Sequence, residues 1–377
     1  MRARVWHPCR GSRAATDHLE EVARHPVPRR CRSRADPAAR PPPTRSRGPR
    51  SRSTRSRRSI PLPVTVPRAL PARRTLESEN VFVMSTERAG HQDIRPLRIA
   101  IVNLMPTKIV TETQILRLLA NSPLQVEITF VRMCSHESRN TSTEHLDTFY
   151  RTFDEIRDER YDGLVITGAP VEKLPFEAVD YWDELCEILD WSADHVYSTM
   201  HVCWGAQAGL YRHYGIGKME LPDKMFGVFE HRVLDPRARI VSGYDETFTA
   251  PHSRHTGTPL EEVQAHPKLQ VLATSETAGL YLAQSRDGRQ LFVTGHPEYE
   301  ADTLSLEYHR DASKGLPIDV PVGYFPDDDP TQPPRVTWRS HAFLLYANWL
   351  NYYVYQRTPF DLAEMRRAAR SADTYVI

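Results

Sequence analysis

His195-Val-Tyr-Ser-Thr-Met-His-Val202, followed by Cys203-Trp-Gly-Ala-Gln-Ala-Gly-Leu210, is the stretch that decides how this chain folds. Its first half has the length and apolar content of a buried parallel strand, and its second half is a small-residue run that opens a helix. A cysteine at such a junction has the strand–turn–helix layout of a nucleophile elbow. The turn there is tight, so the position two after the nucleophile must be small, and Gly205 meets that need. The positive end of the helix dipole at the same point favours the reactive thiolate.

Working outward, the same alternation recurs. Leu97-Arg-Ile-Ala-Ile-Val-Asn-Leu-Met105, Val126-Glu-Ile-Thr-Phe-Val-Arg-Met133 and Gly163-Leu-Val-Ile-Thr-Gly168 read as strands. Between them, Thr111-Glu-Thr-Gln114 predicts a capping-box helix start, with Ile115, Leu118 and Leu119 at helical spacing. Leu146, Phe149, Tyr150, Phe153 and Ile156 predict the stripe of a second helix, and Val179, Trp182, Cys186 and Leu189 that of a third. Strands alternating with helices predict a doubly wound, mostly parallel α/β sheet with ligands at the carboxyl ends of its strands. Beyond Lys224 the texture is β-rich: Gly227-Val-Phe229, Ile240-Val-Ser242, Leu269–Ala273, Leu280–Ala283 and Gln290–Thr294 read as additional strands. An aromatic-rich C-terminal helix is expected around His341–Tyr355. Residues 61–360 show neither repeat nor linker and read as one catalytic domain, with 361–377 as a tail.

Of the 377 residues, 49 are basic and 48 acidic, a balance that conceals a split. Residues 1–60 hold 17 Arg, no Lys and four acids, a local charge of +13, which leaves −12 on the rest. An acidic body argues against a nucleic-acid enzyme, whose surface must neutralise phosphates. The Pro-, Ser- and Arg-rich run Arg40–Arg58 has almost nothing to bury, so residues 1–60 are expected to be a disordered extension. A transit peptide, a nucleic-acid-binding arm and a start assigned too early in a GC-rich frame compete, and the early start or a functionless tail is the favoured reading. The Pro clusters break the amphipathic helix that a transit peptide needs, and no role is assigned to the segment. No run approaches the ~18 apolar residues of a membrane span. Five Cys, odd in number and without disulfide or metal spacing, fit a reducing, cytoplasmic setting.

Cys186 lies on a helix stripe and, like Cys134, reads as an inert thiol, whereas Cys203 occupies the elbow. A nucleophilic cysteine needs a base and a group that orients the base. Gly295-His296-Pro297-Glu298 follows a strand and therefore sits at the same carboxyl edge; His296 can accept a proton while Glu298 fixes its tautomer. Among 16 His a lone His-Pro-Glu is a weak motif, and its position is what singles it out. No metal-binding pattern is present, and neither a metal nor another cofactor is expected.

The triad on this scaffold resembles flavodoxin-like class I glutamine amidotransferase folds. Longer segments resemble one family, the homoserine O-acyltransferases of the homoserine O-succinyltransferase type. They are Glu79-Asn-Val-Phe-Val-Met84, Asn103-Leu-Met-Pro-Thr-Lys108, Asn121-Ser-Pro-Leu-Gln-Val126, Glu137-Ser-Arg-Asn-Thr141, Thr167-Gly-Ala-Pro170, Val202-Cys-Trp204, Ala250-Pro-His-Ser-Arg254, Thr294-Gly-His-Pro-Glu-Tyr299, Trp338-Arg-Ser-His341 and Asn348-Trp-Leu-Asn-Tyr-Tyr-Val-Tyr-Gln356. The resemblance implies acyl transfer from acyl-CoA to the hydroxyl of L-homoserine, in methionine synthesis, by a homodimer. Cys203 would carry the acyl group, His296 act as base and Glu298 orient it. By the same resemblance, Lys108 and the Trp204 N–H would hold the oxyanion, and Lys224, Ser253 and Arg310 would bind homoserine. A position shortly after the Thr-Gly-Ala-Pro turn is associated in this family with donor choice, Gly with succinyl-CoA and Glu with acetyl-CoA. Glu172 occupies it here, so acetyl-CoA is the expected donor and succinyl-CoA the alternative. A glutaminase would use the same triad, but its elbow usually carries Gly where this chain has His201, and no synthetase domain is attached. A non-catalytic binding protein would not need Lys108, Cys203, His296 and Glu298 together.

Overall fold

A computed structural model describes residues 64–79, 81, 83–85, 95–136, 140–359 and 362. The expected extension (1–60) and, Leu362 apart, the expected tail (361–377) lie outside the described residues. The chain runs β1 (Val64–Val66), α1 (Pro71–Ser78), β2 (Met84–Ser85), β3 (Leu97–Val102), α2 (Lys108–Leu119), β4 (Val126–Arg132), α3 (Thr143–Phe149), β5 (Tyr150–Thr152), α4 (Phe153–Ile156), β6 (Tyr161–Ile166), α5 (Trp182–His195), β7 (Val196–Val202) and α6 (Trp204–Tyr214). Then come β8 (Met219–Val233), β9 (Thr247–Gly257), α7 (Leu260–Ala265), β10 (Leu269–Ser275), β11 (Gly279–Ser285), β12 (Gln290–Val293), α8 (Thr303–Ser313) and α9 (Arg339–Asn348), which continues as the π-helical Trp349–Tyr355.

The strands form one sheet in the order β2-β1-β4-β3-β6-β7-β12-β11-β10-β8-β9, with β5 on β4. From β2 to β12 every pairing is parallel, and from β12 to β9 every pairing is antiparallel. Strand alternation divides the core. Ile99, Ile101 and Val165 join the cluster built with Ile115, Leu119, Leu345 and Trp349, while Ala100, Val102, Leu164 and Ile166 join Leu185, Ile188 and Leu189 on the opposite face. The expected α/β architecture with added strands and a C-terminal helix is present.

Several local expectations are corrected. Helix α2 begins at Lys108, three residues before the expected capping box, and Thr111 Oγ1 donates back to Thr107 O inside the helix. The second helical stripe is broken, because Tyr150–Thr152 pair with Phe130–Arg132 at the sheet. A capping box between Thr152 and Glu155 then restarts the helix. Val179 precedes α5 rather than lying on it. Ile240 and Val241 form a 3₁₀ turn instead of a strand, and Asn348 Nδ2 takes the carbonyls of Ile240 and Ser242. Strand β9 escaped the pattern because it is polar and contains Pro251. It lies at the end of the strand order, where a proline is tolerated. Among the described residues no helix is long and apolar enough to cross a membrane.

Candidate active site

Cys203 stands between β7 and α6 with φ 51° and ψ −116°. An L-residue with positive φ costs on the order of 1–3 kcal/mol and persists only where its surroundings enforce it. Here Cys203 N donates to Val293 O (2.7 Å), extending the β7–β12 ladder, while Cys203 O accepts from Ala206 N (3.0 Å) and Gln207 N (3.2 Å). The elbow also needs close backbone approach. A Cβ on Gly205 would lie 2.6 Å from Thr167 O and 2.8 Å from Ile166 O. A Cβ on Gly168 would lie 3.6 Å from Cys203 Sγ and 3.5 Å from His296 Cε1, so the end of β6 packs directly on nucleophile and base.

His296 follows β12 and is 3% exposed. Its Nδ1 lies 2.7 Å from Glu298 Oε1, its backbone N donates to Pro251 O (2.8 Å), and its ring stacks on Tyr299 at 4.1 Å. Burial alone would push the imidazole down in pKa. The charges of Cys203 and Glu298, both hydrogen-bonded to the ring, more than reverse this, and its pKa is raised well above the ordinary value. The three expected catalytic residues are therefore together, with His296 between Cys203 and Glu298. Arg254 adds to this field. It is 5% exposed, and its donors go to the neutral acceptors Thr256 O, Ala278 O and His252 Nδ1. Burial pulls its pKa down, and the charge of Cys203 opposes that.

Cys203 and His296 open into a cavity of about 460 Å³, whose lining includes Glu172, Lys224, Ser253, Glu307 and Arg310. Glu307, on α8, gathers the expected homoserine ligands. Lys224 Nζ lies 2.7 Å from Glu307 Oε1, Ser253 Oγ donates at 2.9 Å to the same carboxylate, and Arg310 Nη2 lies 3.8 Å from Oε1. The side chain of Arg310 is 55% exposed, and its fork is held by Asp311 at 2.7 and 2.8 Å. A ligand carboxylate would have to draw it from Asp311.

The profile of the homoserine O-succinyltransferase family matches residues 63–360. This chain belongs to that family. A homoserine O-acetyltransferase of Acetivibrio thermocellus is 58% identical over 305 residues, covering 81% of this chain and 100% of its own length. Those of Clostridium acetobutylicum (58% over 301 residues, 80% and 100%) and Bacteroides thetaiotaomicron (55% over 304 residues, 81% and 100%) are similar. Among solved structures, a glutamine amidotransferase from Methylobacillus flagellatus is similar over 68% of this chain and 95% of its own, at 12% identity and TM-score 0.42.

Within this homoserine O-succinyltransferase family member, Lys108 is placed differently from the other candidates. It lines a neighbouring cavity of about 350 Å³ with Asn103, Arg132 and Cys134, and its Nζ donates to Asn103 O (2.6 Å) and Met105 O (3.3 Å). It thus braces from behind the loop whose Met105, Pro106 and Thr107 wall the Cys203 cavity. Burial lowers its pKa to about 8 against the opposing charge of Glu112. The Trp204 N–H is at the first position of α6, where no intrahelical acceptor exists. Cys134 is exposed, and Cys186 lies on α5 with its thiol buried in the core.

Glu307, Gly168 and Arg254 were not singled out by the sequence reading. Glu307 and Arg310 sit three apart on one helix and so present an anion and a cation on the same face, the pairing an amino-acid zwitterion requires. That spacing was the available signal. Nothing local marks Arg254 or Gly168.

Proposed function

We propose that this enzyme, a homoserine acyltransferase by family, transfers an acetyl group from acetyl-CoA to the hydroxyl of L-homoserine, giving O-acetyl-L-homoserine and CoA in methionine biosynthesis. The observation that carries the reading is the convergence, in one cavity, of Cys203 and His296, the latter held from outside it by Glu298, with the charged cluster centred on Glu307. The Cys203 thiolate attacks the thioester carbonyl. The C–S bond to CoA breaks, and the leaving thiolate takes the proton of the His296 imidazolium. Neutral His296, its Nδ1–H held by Glu298, then removes the proton from the homoserine hydroxyl. The alkoxide attacks the acyl carbon, and its bond to Cys203 Sγ breaks, restoring thiolate and imidazolium. Each tetrahedral oxyanion meets the Trp204 N–H. Lys108 joins as the second donor by exchanging Met105 O for that oxygen.

Homoserine presents its ammonium to Glu307 and Ser253 and its carboxylate to Lys224 and Arg310, since charge-assisted hydrogen bonds of matched sign fix its orientation. Glu172 shapes the donor end. A succinyl group would bring a carboxylate into the cavity beside that of Glu172, whereas acetyl brings none; at an effective dielectric of 20, like charges about 4 Å apart repel by roughly 4 kcal/mol before screening. The test is intact-mass analysis after mixing with acetyl-CoA, then a chase with homoserine. One acetyl adduct that discharges to O-acetylhomoserine supports the mechanism; an adduct persisting in Cys203→Ala overturns it. An adduct formed only from succinyl-CoA overturns the donor.

A further inference from the structure

Lys218 lies in the link between α6 and β8, away from the residues assigned above, yet its ammonium is tied to the wall that carries Glu172. Its Nζ donates to the carbonyl oxygens of both Glu172 and Leu174 and sits 4.6 Å from the centre of the Phe176 ring. Phe176 is itself buried and stacked on Tyr211 at 4.5 Å and on Trp182 at 5.1 Å. Leu174 N closes a turn onto Val171 O at 3.0 Å, and Pro170 and Pro175 bound the segment. Residues 170–174 thus form a turn outside any strand or helix, and two of its carbonyls are held by one cation against a buried aromatic floor. Every residue from Ala169 to Leu174 lines the Cys203 cavity.

The consequence concerns discrimination. A carboxylate rejects a second carboxylate only if it cannot retreat, because a mobile loop would swing into water and dissipate the repulsion. The backbone of Glu172 is denied that escape by the Lys218 staple.

We propose that Lys218 is a positioning residue for acyl-donor choice, holding the carbonyls of Glu172 and Leu174 so that the Glu172 carboxylate stays in the donor end of the cavity. The inference rests on the reading of Glu172 given above. The two are separated by measuring kcat/KM with acetyl-CoA and succinyl-CoA for the wild type, Glu172→Gly, Lys218→Met, Lys218→Arg and the Glu172→Gly/Lys218→Met double variant. Lys218→Met is expected to lower the acetyl-over-succinyl ratio about tenfold, the equivalent of one charge-assisted hydrogen bond, with the KM for homoserine unchanged. Lys218→Arg should restore the ratio, and Lys218→Met should add nothing once Glu172 is glycine. If Lys218→Met is insoluble, Lys218→Gln, which keeps a donor but no charge, serves the same comparison. A Glu172→Gly variant with altered preference beside a silent Lys218→Met, or an undiminished Lys218→Met effect in the double variant, overturns the Lys218 role alone. Wild-type preference in Glu172→Gly overturns the donor reading and the Lys218 role together.

Discussion

Replacing Gly205 by alanine tests the elbow. The added Cβ would meet Thr167 O at 2.6 Å and Ile166 O at 2.8 Å, with Ile166 Cγ2 at 3.2 Å. Real carbon–oxygen contacts are several tenths of an ångström longer, and both oxygens are backbone, so no side-chain rotation can relieve them. The strand end cannot easily retreat either, because Thr167 N donates to Val102 O (3.1 Å) and its Oγ1 accepts from Leu104 N (2.8 Å). Overpacking of this kind costs about 1–3 kcal/mol, and the lack of a flexible neighbour places Gly205→Ala near the upper end. At about 2–4 °C per kcal/mol for a large domain, Tm should fall by roughly 5–10 °C. Relief by moving α6 would displace Cys203 Sγ from His296, and sub-ångström misplacement of a nucleophile lowers kcat by about ten- to a hundredfold. Gly217→Ala is the control, since nothing lies within 4 Å of its Cβ and its φ is ordinary. Scanning calorimetry and thiol release from acetyl-CoA read the two effects. A Gly205→Ala variant melting within 1 °C of wild type with full kcat (~1 °C being well below the shift worked above) would refute the reasoning.

Other predictions concern the charges. Glu298→Gln should lower kcat by about a thousandfold with little change in KM, because the imidazolium loses its anionic partner at 2.7 Å; steady-state kinetics decide it. Lys108 has its pKa lowered from 10.5 to about 8, so between those values the unfolded chain binds more protons than the folded one and stability rises with pH. Relative to Lys108→Met, wild-type unfolding free energy should gain up to roughly 3 kcal/mol from pH 8 to 10.5, measured by urea titration at each pH. Glu172→Gly should shift kcat/KM toward succinyl-CoA at least tenfold, on the order of 1.4 kcal/mol recovered from carboxylate repulsion. Cys134→Ala and Cys186→Ala should keep most activity, and equal losses to those of Cys203→Ala would dissociate the elbow from catalysis.

Much of this protein was written locally. The elbow was legible because a strand, a tight turn and a small-residue helix start follow one another within sixteen residues, and each obeys its own short-range rule. His296 and Glu298 were legible for a related reason: a parallel sheet brings the ends of its strands to one edge, so position after a strand is already a coordinate. The helix drawn through Tyr150 failed because its apolar period was right while an open sheet edge beside Phe130 competed for the same backbone. Ser253 was reached only through the family resemblance, because the polar edge strand that carries it exists through its pairing with β8, as in the register Phe226↔Ser253. Only the tertiary structure decided where long polar side chains reach. Lys108 turns to Asn103 O and Met105 O, Lys218 to the carbonyls of Glu172 and Leu174, and Lys224, Ser253 and Arg310 gather around Glu307. Periodicity and capping depend on residues a turn apart, whereas a buried or half-buried cation goes to whichever acceptors the fold leaves unsatisfied, and for Lys218 those are 44 and 46 residues away.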